Sequence, residues 1–206
     1  MNAPMLFTVG HSNHEMPALL DLLRQHGITL LADVRSSPHS RYNSQFNREA
    51  LQAALQNCGI GYVFLGRELG ARREERECYL GPKVQYARVA RLPVFKQGLD
   101  YLREAVTRKR VALLCAEKDP LACHRTILIC RQLRSDDISI SHIRDDGTVE
   151  THAEAENRLL ALMNMPSGSL FQSKEELIEE AYDRQGERIA FVESPEREGE
   201  PAELSY

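Results

Sequence analysis

The chain has no apolar run of about 18 residues, the length that a membrane-spanning helix requires, and it contains no tryptophan. Its first residues lack the basic segment and the apolar stretch of a secretory signal. Its five cysteines are an odd number without C-x-x-C spacing, which favours reduced thiols over a disulfide framework. These absences predict a cytoplasmic protein with no membrane contact.

Charge of one sign is not in large excess either. The 206 residues carry a net charge of −4, of which residues 166–206 contribute −7, so residues 1–165 carry +3. A mildly basic body is compatible with a phosphate-bearing small molecule or a nucleic acid as partner. The sequence predicts a single α/β domain over residues 1–165. It also predicts an acidic C-terminal extension over residues 166–206, which is partly disordered over roughly its last dozen residues.

Apolar runs alternate with amphipathic segments along the chain. Five runs have the continuous apolar character of buried parallel strands, at 4–10, 28–35, 60–66, 110–115 and 138–143. Helical spacing predicts helices between Met16 and Gly27, between Asn47 as cap and Gly59, and at 84–91, 94–108, 122–134 and 151–163. This alternation predicts a three-layer α/β fold, with a mainly parallel sheet of about five strands and helices on both faces.

Two polar segments are predicted to be irregular. Residues 66–83 contain few apolar side chains and are expected to form a long loop. Its arginines alternate with glutamates between residues 67 and 76, a pattern typical of a solvated loop whose charges pair with one another. The Asp145-Asp146-Gly147 sequence predicts a turn.

Polar side chains collect where the predicted strands end. The candidate site residues follow the first, second and fourth strands or begin the helix after the fourth, and they are His11, Ser12, Asp33, Arg35, Ser36, Arg41, Cys115, Glu117, Cys123, His124 and Arg125. In an open parallel sheet, ligands bind beyond the carboxyl ends of the strands. We therefore expect these residues to share one site, although structural explanations exist for each of them alone.

The arginines of this group predict an anion site. Arg35, Arg41 and Arg125 can bind a phosphate together with the first amides of the helix that begins near Ala122. The remaining substrate-binding candidates are Ser12, Ser36, Cys123 and His124.

The catalytic candidates are Glu117, His11, Asp33 and Cys115. A carboxylate and an imidazole in one cleft provide acid–base chemistry, so Glu117 and His11 are assigned acid–base or nucleophilic roles. Asp33 is expected to orient one of them. Cys115 is a buried small residue or a nucleophile, and both interpretations stay open.

Three thiol arrangements fit the sequence less well. Neither Cys115 nor Cys123 has the arginine, separated by five residues, of a phosphatase loop. Asp33-Val34-Arg35 after one strand, with Cys115 at the end of a later strand, is similar to the pattern of rhodanese. In such an enzyme small residues form a loop around the cysteine sulfur, and the residues after Cys115 do not form such a loop. Cys115, Cys123 and His124 can bind zinc, yet C-x-x-C spacing is absent and a fourth ligand would have to come from elsewhere. We therefore predict no metal and no cofactor.

Five motifs occur in the order TVGHSN, LLADVRSSPHSRYNSQFN, IGYVFLGRELG, LLCAEKDPLACHR and ISISHIRDDG. Together they resemble the domain of unknown function 488 family, over residues 5–163. The resemblance implies a compact α/β domain with its polar motifs at one end of the sheet. Bacterial members carry a DNA-repair label, which implies a nucleic-acid context. Ala71 and Arg72 stand where relatives tend to carry a second glycine, which would stiffen the loop after Gly70.

These observations predict an enzyme that acts on a nucleotide, a nucleic-acid end or another phosphate-bearing substrate, by acid–base hydrolysis or group transfer. One alternative is a non-catalytic nucleotide- or DNA-binding module. Another is a thiol-dependent sulfur-transfer or redox protein that uses Cys115 or Cys123.

Overall fold

A computed structural model describes residues 3–166, 168 and 172–193, so the predicted disorder at the end of the chain lies outside the described residues. The strands are β1 (Met5–Gly10), β2 (Leu30–Asp33), β3 (Gly61–Phe64), β4 (Tyr79–Leu80), β5 (Lys83–Val84), β6 (Val111–Cys115), β7 (Ser139–Ile143) and β8 (Val149–Thr151). The helices are α1 (Met16–Gln25), α2 (Arg48–Gln56), α3 (Gly66–Leu69), α4 (Tyr86–Val89), α5 (Pro93–Arg108), α6 (Arg131–Leu133), α7 (His152–Leu162) and α8 (Lys174–Ile189).

The central sheet has six strands in the order β3-β2-β6-β1-β7-β8. The first five are parallel to one another, and β8 pairs antiparallel with β7. This arrangement confirms the predicted mainly parallel α/β sheet, but the predicted count of five strands is one too low. The sixth strand returns after the turn that contains Gly147, which has a φ of +82°. Three residues with a single apolar side chain give β8 no strand-like pattern.

Helices cover both faces of the sheet, as predicted. Successive side chains of a strand point to opposite faces, and β6 shows this directly. Val111 and Leu113 belong to one core, which α5, α7 and α8 cover, whereas Ala112 and Leu114 belong to another, which α1 and α2 cover. The three-layer architecture follows from these two cores.

Some helix details differ from the prediction. The two helices predicted at 84–91 and 94–108 are present as α4 and α5, but α5 begins one residue earlier, with Pro93 in its first turn, where the missing N–H costs nothing. Asn47 occupies the N-cap position of α2 as predicted, but its side chain does not cap the helix; its Oδ1 accepts a hydrogen bond from the amide of Ser40 at 2.7 Å. The helix predicted at 122–134 is a π-helical segment, Arg125–Cys130, that continues into α6. Such segments are rare and frequently lie at functional sites.

The segment predicted as a long loop contains regular structure. It forms the short helix α3 and the β4–β5 hairpin. Arg73 is buried and donates through Nη1 to the main-chain oxygen of Arg67 at 2.8 Å, while its Nη2 pairs with Glu75 at 2.7 Å. A buried arginine that fixes the main chain explains why a segment with few apolar residues is ordered.

Helix α8 packs into the same core as the sheet. Its buried side chains include Leu177, Ile178 and Tyr182. Ser173 caps the helix by accepting from the amide of Glu176, whose carboxylate accepts in return from the Ser173 amide. The division of the chain at residue 165 stays a prediction, and α8 lies on the C-terminal side of it.

A chain of buried hydrogen bonds connects β1 to α8. Thr8 Oγ1 lies 2.8 Å from His142 Nδ1, and His142 Nε2 lies 3.0 Å from His152 Nδ1. His152 Nε2 lies 3.0 Å from the hydroxyl of Tyr182. Burial lowers the pKa of His142 well below its usual range, and it lowers the pKa of His152 to about 4. Both imidazoles are therefore neutral in the folded protein at neutral pH.

From these buried histidines we predict that the free energy of unfolding falls at acid pH. An unfolded His152 titrates near its ordinary pKa of 6.5 but the folded one only at about 4, so the unfolded state binds more protons between these values. The free energy of unfolding should therefore fall from pH 6.5 downward, by about 3 kcal/mol at pH 4 for this residue. Urea midpoints at several pH values should show a shallower fall for His152→Gln than for wild type. The exposed His39→Gln serves as control, and equal slopes in all three proteins would contradict the prediction.

Candidate functional site at the carboxyl edge of the sheet

Three adjacent strands bring the sequence motifs together. β2, β6 and β1 are neighbours, with Asp33 opposite Leu114 and Gly10 opposite Cys115 in register. The amide of His11 donates to the main-chain oxygen of Cys115 at 2.9 Å, which continues the ladder beyond the strand ends. The residues that follow these strands consequently meet at one edge.

Gly10 allows the turn after β6 to lie directly against β1. A Cβ atom at this position would lie 1.9 Å from the main-chain oxygen of Glu117. The same oxygen accepts a hydrogen bond from Arg125 Nη1 at 2.6 Å. Any side chain at Gly10 would displace the turn that carries Glu117.

A pocket of about 320 Å³ opens at this edge. Its polar lining includes Arg35, Ser36, Arg72, Cys115, Glu117 and His124. Tyr86, Ile189 and Phe191 add an apolar wall, so the end of α8 and the chain just after it complete the pocket. The pocket therefore combines cationic, acidic and thiol side chains from distant parts of the sequence.

Cys115, Glu117, Cys123 and His124 form a compact cluster at the floor. One potential ligand atom from each residue lies within 4.8 Å of all the others. Cys115 Sγ lies 3.0 Å from Glu117 Oε2 and 3.6 Å from His124 Nδ1, and Cys123 Sγ lies 3.9 Å from the same nitrogen. Two sulfurs, a carboxylate and an imidazole nitrogen thus share one small volume.

The main chain fixes the orientation of the His124 ring. Nε2 lies 3.0 Å from the main-chain oxygen of Val34. A carbonyl oxygen only accepts hydrogen bonds, so Nε2 carries a proton and Nδ1 faces the sulfurs of Cys115 and Cys123.

The two thiols have different proton affinities. Burial raises the pKa of Cys115 well above its usual range. Burial acts the same way on Cys123, but the hydrogen bond with Cys115 and the charge of Arg125 outweigh it and hold the pKa of Cys123 well below its usual range. Burial and then the Cys123 sulfur raise the pKa of Glu117. Arg125 and the hydrogen bond with Cys115 therefore favour the thiolate form of Cys123.

Arg35 reaches the pocket from a buried pair with Asp33. Its Nε donates to Asp33 Oδ1 at 2.9 Å, and its Nη2 donates to Oδ2 at 2.6 Å. The Tyr62 hydroxyl donates to the same carboxylate at 2.9 Å, and the Phe46 main-chain oxygen accepts from Nη2 at 2.9 Å. Nη1 lies 3.4 Å from His11 Nε2. Asp33 therefore orients Arg35, and its predicted role in orienting Glu117 or His11 stays a prediction.

His11 lies beside the pocket, not in its described lining. It is buried, its ring packs on Phe46 with centroids 4.5 Å apart, and its Nδ1 lies 3.0 Å from the main-chain oxygen of Ser12. Burial lowers the pKa of His11. Ser12 has a positive φ of 46°, and its amide donates to the main-chain oxygen of Ala116 at 2.9 Å. Both residues shape the turn after β1.

Arg125 lies beneath the cluster and is fully buried. Nη1 donates to the main-chain oxygen of Glu117, Nη2 to that of Lys118 at 3.1 Å, and Nε to Thr8 Oγ1 at 3.4 Å. These contacts direct all three guanidinium nitrogens at protein acceptors, which differs from the predicted contact with a bound anion. Arg41 is exposed and borders a separate, more open pocket.

Arg72 is a pocket residue that sequence reasoning missed. Its guanidinium carbon lies 4.7 Å from the centroid of the Phe191 ring, and its amide donates to Ser36 Oγ at 2.9 Å. Within the described residues it forms no salt bridge with a carboxylate. The alternating charges around Arg72 do not indicate that it lines a pocket. Its guanidinium packs on the ring of Phe191, which is far away in the sequence.

The fold and the pocket place this protein in the class of three-layer α/β proteins that have a polar pocket at the carboxyl edge of a mainly parallel sheet. The sequence model described as "Domain of unknown function DUF488" matches residues 15–131. This is more than half of the chain, which therefore belongs to that family, and the resemblance seen in the motifs is confirmed. No curated protein and no solved structure matches the chain. Among the residues that the structure describes, no helix has the length and apolar character needed to cross a membrane.

Proposed function

We propose that this protein is an enzyme that binds a phosphate-bearing substrate, such as a nucleotide or a nucleic-acid end, and cleaves it or transfers a group from it. The observation that carries this proposal is the pocket whose lining includes Glu117 together with Arg35 and Arg72. Guanidinium groups favour phosphate, and a positioned carboxylate transfers protons in hydrolysis and group transfer. Glu117 takes the acid–base role, and His11 supports the adjacent turn.

The sizes of two adjoining pockets suit a substrate whose small reacting group is attached to a larger polyanion. A volume of about 320 Å³ is at the lower end of the range for ligand sites. A second pocket of about 690 Å³ shares Ser36 and Arg72 with it and includes Arg67. A terminal nucleotide fits the first pocket, and the second provides room for the rest of a longer polyanion.

Arg72→Ala tests the anion site. A charge-assisted hydrogen bond contributes about 1.5–3 kcal/mol, so the change should raise the KM or Kd for a phosphate-bearing ligand about tenfold or more. Nucleoside monophosphates, sugar phosphates and short single-stranded DNA with terminal phosphate should be compared, with product analysis by chromatography. Arg108→Ala is the matched control, because Arg108 is an exposed residue of α5 paired with Glu104. Equal affinities in the two variants, or no binding by wild type, would contradict the proposal.

The same measurements separate the two alternatives. Binding of nucleotides or DNA without turnover would support a non-catalytic module. Sulfur transfer or redox chemistry needs a thiolate that a substrate can reach. Cys115 lines the pocket but burial raises its pKa, whereas Cys123, whose pKa is lowered, is 1% exposed and is not part of the described lining. This mismatch favours the phosphate-bearing substrate over thiol chemistry.

A further inference from the structure

We propose that Cys115, Cys123 and His124 bind a zinc ion at the floor of the pocket, with Glu117 beside the open fourth position. The potential ligand atoms of these four residues all lie within 4.8 Å of one another. This proposal goes beyond the proposed function and does not depend on it, since the site is defined by the cluster alone.

The distances in the cluster match a tetrahedral zinc centre. Zinc binds sulfur at about 2.3 Å and imidazole nitrogen at about 2.0 Å, so tetrahedral geometry puts sulfur and nitrogen about 3.5 Å apart. Cys115 Sγ and Cys123 Sγ lie 3.6 Å and 3.9 Å from His124 Nδ1. Both sulfur–nitrogen distances are therefore close to those of a tetrahedral zinc site, and the two sulfurs lie within 4.8 Å of each other.

Supporting hydrogen bonds already orient two of the ligands. Metal-bound histidines almost always donate their other ring N–H to a carbonyl or carboxylate, which fixes the ring and the tautomer. His124 does this through Nε2 and the main-chain oxygen of Val34 at 3.0 Å. The amide of Arg125 donates to Cys123 Sγ at 3.4 Å, which stabilises a thiolate.

Arg125 favours the form of cysteine that binds zinc. It is fully buried beneath the cluster, and its amide donates to Cys123 Sγ. Cysteine binds metals as the thiolate, and a neighbouring guanidinium stabilises that form.

The fourth position faces the pocket. Cys115, Glu117 and His124 line the pocket, whereas Cys123 lies behind them. Catalytic zinc sites keep three protein ligands and one open position, and structural sites have four protein ligands. Zinc held in this way would supply a Lewis acid and a bound water of lowered pKa next to Glu117.

The sequence expectation of no metal rested on the missing C-x-x-C spacing. In the structure the ligands come from the end of β6 and from the residues just before the π-helical segment, and the fold brings them together across the turn. Glu117, two residues after Cys115, adds a carboxylate beside these three ligands, and C-x-x-C spacing gives no indication of it.

The test is metal binding by the full chain, kept reduced and stripped of metal with a chelator. Titration with Zn²⁺ should show one equivalent bound, and Co²⁺ should give the thiolate-to-cobalt charge-transfer and tetrahedral d–d bands, both removed by added Zn²⁺. Cys123→Ser should weaken Zn²⁺ binding by more than the roughly 10–100-fold that loss of a supporting hydrogen bond costs. Cys130→Ala, which removes an equally buried thiol outside the cluster, should bind as wild type does.

The wild-type cobalt spectrum decides the question even if Cys123→Ser fails to fold. Absence of a sulfur-to-cobalt band, or of stoichiometric zinc at micromolar protein, would overturn the proposal. Equal zinc affinity in wild type and a folded Cys123→Ser protein would overturn it too. Glu117→Gln should still bind one zinc, so this result is independent of whether any substrate is turned over.

Discussion

Glu117→Gln is expected to lower turnover by about 100- to 10,000-fold, the usual contribution of a positioned general acid or base. The substitution removes the charge and the transferable proton but keeps the size of the side chain. Glutamine can still accept the hydrogen bond that Cys115 Sγ donates to Glu117 Oε2 over 3.0 Å. Initial rates with the best substrate of the phosphate series, together with a urea unfolding curve, measure both consequences.

Glu104→Gln provides the control for this experiment. Glu104 is an exposed residue of α5 that pairs with Arg108, so its loss should change neither rate nor stability. A rate for Glu117→Gln within a few-fold of wild type would refute the acid–base assignment. A loss of rate accompanied by a large loss of stability would instead show that Glu117 holds the turn.

Arg125→Ala is expected to lower the free energy of unfolding by about 3–5 kcal/mol, the range for breaking a buried charged network and emptying its volume. The guanidinium donates to the main-chain oxygens of Glu117 and Lys118 and to Thr8 Oγ1. Without it, the main-chain oxygens of Glu117 and Lys118 lose this donor, and the turn that carries Glu117 loses its support. Urea midpoints of the wild type and the variant measure the difference.

Arg108→Ala again serves as the control, because the exposed Arg108–Glu104 pair should contribute at most about 0.5 kcal/mol. Arg125→Lys should recover only part of the stability, since an ammonium group cannot reach three acceptors in one plane. If Arg125→Ala retained wild-type stability and lost only anion affinity, Arg125 would be a ligand-binding residue, as the sequence predicted.

The five parallel strands could be predicted because each contains an apolar run, which is the pattern of strands in a sheet covered by helices. β8 could not, because three residues of an edge hairpin need no such run. The π-helical segment was also missed, since the spacing of apolar residues in 125–130 does not distinguish it from an α-helix. In both cases the deciding interaction is pairing or packing with another element.

The site residues that could be predicted are those that lie at or just after the end of a strand, or at the start of a helix. Cys115, Glu117 and His124 line the pocket, and each is adjacent to a strand end or to a helix start. The roles of the arginines were not predictable in this way. Arg35 donates a hydrogen bond to the main-chain oxygen of Phe46, and Arg125 donates one to Thr8 Oγ1. Because these partners are distant in sequence, the local sequence pattern cannot distinguish an arginine that binds ligand from one that holds the backbone.

The apolar wall of the pocket has a consequence for the order in which the site is built during synthesis. The residues of the floor have all been synthesised once His124 is added, but Ile189 and Phe191 belong to the wall. At about 5–20 residues per second, the ribosome needs about 3–13 s more to reach Phe191. Because a domain generally folds as a unit, the complete pocket can form only after this interval.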